Sequence, residues 1–361
     1  MRRKVGLALV AIGALFLVLA PLLRWYAYPR LAVTPQDQES ATVSEGTDVT
    51  IFSIPELVAG RDPQVVTDVR SVRGTMSIVE DLPAGTSNDD VAVWETVVNT
   101  TDDSGTTLSA SDSIIAFDRH TGAGVEGYGQ SIDGDPIDHE GQILKFPFGT
   151  EQRDYDFWDS ALREATPAVY DSEDEIDGLK VYKFVQTIEP TVVSQLEVPG
   201  SLAGEDAPTI EADRVYANIR TMWVEPNTGV IIRGVEEQNT VLEFDGREIA
   251  TITRGTIGHT DDQVQETIDE YRPQATRLNL VENVLPIVLG VLGLIGVVAG
   301  AFLLRTPYTP RRAADARHDT ETEAEAGDET TAGEDTRVVE DDKPSILDFD
   351  AKPEPRNAKP Q

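Results

Sequence analysis

Two uncharged runs dominate the hydropathy pattern. Val5 to Leu23 covers 19 residues and Val284 to Leu304 covers 21, neither with a charged side chain. A helix of that length crosses a hydrocarbon core of ~30 Å. Arg2, Arg3 and Lys4 precede the first run. Arg305, Arg311, Arg312 and Arg317 follow the second, and Glu282 and Asn283 precede it. Basic residues collect on the cytoplasmic side of a span. The pattern therefore predicts a two-span plasma-membrane protein with both termini in the cytoplasm and residues 24–283 outside. Trp25, Tyr26 and Tyr28 then fall where an aromatic belt marks the outer interface. A cleaved signal peptide begins in the same way, but cutting after Ala20 leaves Pro21 behind the cut and cutting after Ala27 puts the bulky Trp25 in a small-residue position. An uncleaved signal anchor is the reading that remains.

Between the spans the period changes to two. Short β-like runs such as Val91–Asn99, Ser113–Phe117, Leu179–Gln186 and Val215–Val224 alternate with Gly, Pro, Asp and Asn. In the last run Val215, Ala217, Ile219 and Trp223 share one face. Thr240–Phe244 and Arg247–Thr253 flank Asp245-Gly246, a strong hairpin signal because both turn residues need positive φ. The fold class is α+β: a β-rich antiparallel extracytoplasmic domain between two transmembrane helices. Two helices are expected inside that domain. Asp156 would cap one from Phe157 to Ala165, ended by Pro167. Thr260 and Gln263 resemble a capping box, with Val264, Ile268 and Tyr271 on one face and a stop near Pro273.

One pattern occurs twice. Phe117-Asp118-Arg119-His120-Thr121-Gly122 and Val224-Glu225-Pro226-Asn227-Thr228-Gly229 stand 107 residues apart. Each is a strand end, an acidic residue able to cap turn amides, and Thr-Gly with the glycine suited to the left-handed region. The repeat reports either two related half-domains or the chance recurrence of a favourable turn.

Charge refines the picture. The chain holds 64 acidic and 30 basic residues, for a net charge of −34. That balance excludes a nucleic-acid partner. Residues 24–283 carry −31 of it, which reads as solvation of an acidic surface, with a cation store as the alternative. The absence of cysteine excludes disulfides and thiolate chemistry. The organisation is thus 1–4 cytoplasmic, 5–23 first span, 24–283 outer domain, 284–304 second span and 305–361 an acidic tail. The tail buries too little apolar surface to order, although Ser345–Asp350 forms a small apolar island in it.

No catalytic motif is present, and no cofactor or metal site is assigned. Asp133–Glu140, with His139, and Asp171–Gly178 are acidic loops whose simplest role is a solvated turn. Gly290, Gly293, Gly296 and Gly300 let the second span approach another helix closely. Gly293, Gly296 and Gly300 are the packing candidates, against Gly6, Gly13 and Ala14 of the first span or against a second copy. The densest aromatic cluster is Phe146, Phe148, Tyr155, Phe157 and Trp158. It is either a local core or one wall of an apolar groove for an envelope lipid, and Phe146, Phe148, Tyr155 and Trp158 are the candidate ligand-binding residues.

Lys145-Phe146-Pro147-Phe148-Gly149-Thr150, with Tyr155 and Trp158-Asp159 after it, resembles a segment typical of an actinobacterial family often labelled the porin PorA family. Trp223–Val230 and the two-span architecture are similar to that family as well, over roughly residues 1–305. The resemblance implies a cell-envelope protein and supplies no catalytic residues. The expected function is a non-enzymatic integral membrane protein of the envelope whose outer domain binds an envelope component or lipid. The alternative is a receptor or scaffold that couples this domain to a cytoplasmic partner through the tail.

Overall fold

The computed structural model describes residues 2–36, 39–51, 68–77 and 89–305. The tail and its Ser345–Asp350 island lie outside the described residues.

Both apolar runs are helical. Helix α1 (Arg2–Leu22) passes through a π-helical turn at Leu23–Ala27 into the short α2 (Tyr28–Leu31). Helix α3 (Asp261–Asn279) passes through a second π turn at Leu280–Val284 into α4 (Leu285–Arg305). The continuous helices Arg2–Leu31 and Asp261–Arg305 are each long and apolar enough to cross a membrane. Helices α1 and α4 pack antiparallel through glycine. A Cβ on Gly13 would lie 2.6 Å from the Gly293 carbonyl oxygen, and one on Gly300 would lie 2.7 Å from that of Gly6. Gly296 sits over the Gly13 Cα, whereas Gly290 faces open space and Ala14 is exposed. The glycine face of the second span is therefore filled by the chain's own first span.

The rest is one antiparallel sheet. Its strands are β1 (Glu39–Thr47), β2 (Thr50–Ile51), β3 (Asp68–Ser77), β4 (Val91–Asp102), β5 (Thr107–Asp118), β6 (Ser131–Ile132), β7 (Asp135–Pro136), β8 (Tyr155–Asp159), β9 (Glu164–Ile176), β10 (Leu179–Pro199), β11 (Thr209–Val224), β12 (Ile231–Phe244) and β13 (Arg247–His259). They run in the order β7-β6-β5-β4-β3-β1-β13-β12-β11-β10-β9-β8, with β2 on β13. Isolated bridges join β5, third from one end of this path, to β8 at the other end. Phe117 of β5 bridges Gly124, Ala123 bridges Gln142, and Gln142 bridges Phe157 of β8. Real hydrogen bonds carry the closure: Gly124 N–H donates to the Gly141 carbonyl at 2.8 Å and Trp158 N–H to that of Gln142 at 2.7 Å. The strands from β5 round to β8 thus curl into a ring, with β6 and β7 as a short appendage on β5.

The hairpin at Asp245-Gly246 forms as its sequence predicts, with φ of 51° and 70°. The expected helix from Phe157 to Ala165 does not form. That segment is β8, a tight turn and the start of β9. The capping carboxylate belongs to Asp159, not Asp156, and it accepts from the Ala161 and Leu162 amides of the turn. Helix α3 begins as expected, with the Thr260 hydroxyl accepting from Gln263 N–H. The reciprocal half of the capping box is absent, because the Gln263 side chain accepts from Val43 N–H of β1 instead. The helix also continues past Pro273. Pro273 is exposed, so the carbonyl left without a donor is hydrated and the helix need not break.

The repeated turns share the same three bonds to the acidic residue, and Glu225 accepts a fourth from the Asn227 side chain. Asp118 accepts from His120 N–H, Thr121 N–H and the Thr121 hydroxyl. Glu225 accepts from Asn227 N–H, Thr228 N–H and the Thr228 hydroxyl. Gly122 and Gly229 close them with φ of 72° and 73°. The segment 145–150 runs between the two turns, Phe146 N–H donating to the Gly229 carbonyl and Phe148 N–H to that of His120. A Cβ on Gly229 would lie 2.0 Å from the Phe146 carbonyl oxygen, so side-chain-free backbone is needed there.

Candidate functional site

The inner face of the ring is read most easily along β11. Its even-numbered residues, Ile210, Ala212, Arg214, Tyr216, Asn218, Arg220, Met222 and Val224, face inward. The proof is reach: Tyr216 and Arg220 bond Asp159 of β8, three strands away, which only a concave face allows. Val215, Ala217, Ile219 and Trp223 share a face as expected, but it is the outer one, with Ile219 41% exposed. Apolar residues thus occupy both ends of the inner face, and a polar belt crosses its middle.

Arg220 is the hub of that belt. Its Nε donates to Glu236 Oε1 at 2.8 Å and its Nη2 to Asp159 Oδ2 at 3.1 Å, while Nη1 donates to the Gln186 side-chain oxygen. The Tyr216 hydroxyl donates to Asp159 Oδ2 at 3.0 Å. Asn218 and Gln238 donate to Glu236 Oε2 at 3.1 and 2.7 Å. Gln186 in turn donates to the Phe157 carbonyl. Burial alone would raise the Glu236 carboxyl, but the Arg220 charge and hydrogen bond outweigh it and hold the group down at about 2. Burial and then the Asp159 charge push the Tyr216 hydroxyl well above its ordinary range. The belt is therefore a fixed array of ionised acid, ionised base and neutral phenol.

The array is not fully satisfied. The Asn218 side-chain oxygen, Arg214 Nε and Trp158 Nε1 are buried without a hydrogen-bond partner among the described residues. Buried polar atoms are rarely left so, and such orphans mark places where water or another molecule bonds. On the opposite, outer face Thr187, Ala217, Ile219, Glu237 and Thr256 of β10–β13 line an open depression of about 450 Å³.

The four aromatic candidates are divided by the fold. Phe146 and Tyr155 belong to one core cluster with Phe157, Phe184 and Met222. The Phe146 ring stacks on Phe184 at 4.6 Å. Trp158 belongs to a second cluster with Trp94 and Phe117. Phe148 stands apart, half-buried, with Lys145 Nζ 3.4 Å above its ring. Phe146, Tyr155 and Trp158 are buried, so a ligand reaches them only if the core opens. The acidic loop at 133–140 is engaged in local bonds: Asp138 accepts from Gly127 N–H and Gln130, and Asp135 pairs with Arg163. His139 bonds Gln130, and burial pushes its imidazole down to about 4. Among the described residues no group of acidic or His side chains is placed to hold a metal.

Sequence reading missed the belt because its members sit on four strands. The available signal was the even positions of β11, where polar residues recur at period two between apolar ends.

Two relatives align with most of the chain's length. A Porin PorA of Corynebacterium amycolatum is 26% identical over 83% of this chain and 98% of its own. A Porin PorA of Corynebacterium resistens is 27% identical over 66% of this chain and 76% of its own. The profile of the Porin PorA family matches residues 5–302, from the first apolar helix through every described strand to the second, and the chain belongs to that family.

Proposed function

We propose that this chain is a non-enzymatic, two-span protein of the cell envelope whose sheet domain stands outside the plasma membrane and holds an envelope component. The observation that carries the reading is the belt with its unpartnered Asn218, Arg214 and Trp158 atoms. The flanking charges favour this orientation, and so does the exposure of Trp25, at 75%, beyond the first span. The spans are clasped at that level, where Arg24 donates to the Glu282 carbonyl at 3.1 Å and to Asn283 at 3.2 Å. The absence of catalysis is supported by the locked state of the belt, since the Arg220 charge and hydrogen bond hold the Glu236 carboxyl down at about 2, far from where it could exchange a proton near neutral pH. Mass spectrometry of gently extracted protein tests the reading. Copurification of a defined envelope molecule, lost in Arg220→Met, is expected; preparations that carry none would refute it.

The relatives' name suggests a pore. A lipid-embedded barrel needs an apolar outer band. The outward positions of β9–β12 include the exposed Asp171, Asp174, Glu197, Glu211 and Glu237, a face that lipid does not solvate. The ring is better suited to water, with the two helices as the lipid-facing part. The receptor alternative draws on one observation: the continuous 45-residue helix Asp261–Arg305 joins the sheet to the far side of the second span without a flexible joint.

A further inference from the structure

We infer that the inner face of the ring around Arg73 of β3 is a binding site for an oxyanion, the phosphate or carboxylate group of an envelope component. This rests on the reading that the sheet domain holds such a component, and it names the group that is recognised. Strand register fixes where Arg73 points. Glu236 of the belt pairs with Ile257 of β13, which is in phase with His259, and His259 pairs with Ser44 of β1. Ser44 pairs with Ser71 of β3, in phase with Arg73. Arg73 therefore shares the inner face with Glu236 and Arg220. It is exposed to water, yet protein encloses it: burial lowers its guanidinium from the ordinary range, the Glu236 charge raises it and the Arg220 charge lowers it. A group that is both enclosed and wet projects into an open interior. Among the described residues the guanidinium has no hydrogen-bond or ion-pair partner. Glu236 does not serve as one, because its Oε1 is taken by Arg220 and its Oε2 by Asn218 and Gln238. The inward neighbours of Arg73 are Ser71 and Thr75 on its own strand, Thr42 on β1 and Val98 on β4, and none is acidic.

The seam of the ring offers a way in. β10 pairs with β9 only as far as Gln186, and β5 pairs with β6 only at Ser113 and Ile114. Thr187–Pro199 and Thr107–Asp112 therefore carry no strand on that edge among the described residues. Once inside, an oxyanion meets a planar guanidinium with free donors, which suits two parallel hydrogen bonds. The hydroxyls around it can donate to the remaining oxygens. The competing ligand classes fit less well. A cation would meet Arg73 and Arg220. A neutral sugar would bond the hydroxyls but leave the guanidinium without a counter-charge. An acyl chain would cover the hydroxyls without bonding them. The charge of −31 on residues 24–283 opposes an anion at a distance, but physiological salt screens it beyond ~8 Å, so contact at Arg73 decides.

Titration calorimetry on the full chain in nonionic detergent micelles tests the assignment. The probes are glucose 6-phosphate and trigalacturonate, with maltotriose and spermidine for comparison. One or both anions are expected to bind saturably, more weakly as salt rises, and the one that binds separates a phosphate source from a carboxylate one. Arg73→Gln should weaken that binding about tenfold, or ~1.4 kcal/mol, while the melting temperature stays unchanged, because the side chain makes no bond to lose. Arg73→Lys, which keeps the charge without the planar fork, should lose less. Arg70→Gln, on the outer face of the same strand, where Arg70 pairs with Glu45, should bind as the unaltered chain does. Equal anion binding by the unaltered chain and Arg73→Gln would overturn the site. Binding of maltotriose or spermidine in place of both anions would overturn the ligand class, and so would failure of all four probes. A copurified molecule without an acidic group would also overturn this inference and leave the wider reading standing. Anion binding at Arg73 with no copurified molecule would overturn the wider reading alone.

Discussion

Arg220 pairs with two carboxylates from inside the ring, and both lose that ion-pair partner if it is removed. Truncating one partner of a buried ionic network typically costs about 3–5 kcal/mol. Arg220→Ala is expected to lower stability by that order, measured by denaturant unfolding in detergent. The pH dependence follows from Glu236. Its folded carboxyl, at about 2, lies below the ordinary 4.5. The stabilisation is therefore complete above about pH 4.5 and is lost as the pH falls towards 2. Glu236→Gln should flatten the stability profile in that window, and an unchanged profile would contradict the assignment. Lys145 behaves in the opposite sense. Burial brings its amine down to about 7 from 10.5, its bonding partner being the Thr34 hydroxyl at 3.3 Å. Below pH 7 the fold bears the full cost of a buried charge, and above pH 10.5 it bears none. Lys145→Met is expected to raise stability at neutral pH by about 1–3 kcal/mol, a gain that shrinks as the pH rises.

At the scale of elements, the helices and turns were legible because their signals are local. An uncharged run of sufficient length is helical in lipid whatever surrounds it. An acidic residue followed by Thr-Gly makes its own turn, and both copies formed with the same three bonds to that residue. The interior was not legible, because its pattern inverts the usual rule. The apolar odd positions of β11 face out, and the polar even ones face in, where Asp159, Gln186 and Glu236 satisfy them from other strands. Asp156 and Asp159 show the same limit. Both can cap a turn, and only the pairing of β8 with β9 decides between them. The glycine contacts of the spans give a direct prediction. The chain has no cysteine, so Gly6→Cys combined with Gly300→Cys can be oxidised cleanly in membranes. An intrachain disulfide that runs as a monomer on gels is expected from the packing of these glycines. Covalent dimers alone would mean that the second span pairs with another copy.

At the scale of the whole molecule, the two spans and the ring form one connected body. Residues 32–34 leave α2 and are held at once by the first repeated turn: Ala32 accepts from His120, and Thr34 exchanges bonds with Arg119. Helix α3 returns from β13 and packs Val264 and Ile268 against the sheet before it enters the second span. The ring therefore sits directly on the membrane end of both helices, and its position outside the membrane is the claim on which the function rests. Site-directed labelling of single cysteines with a membrane-impermeant maleimide measures it most directly. Ser201→Cys, at the exposed far end of β10, should react in intact cells, whereas Ser345→Cys in the tail should react only after permeabilisation. Labelling of Ser345→Cys in intact cells, or protection of Ser201→Cys until the cells are opened, would contradict the account.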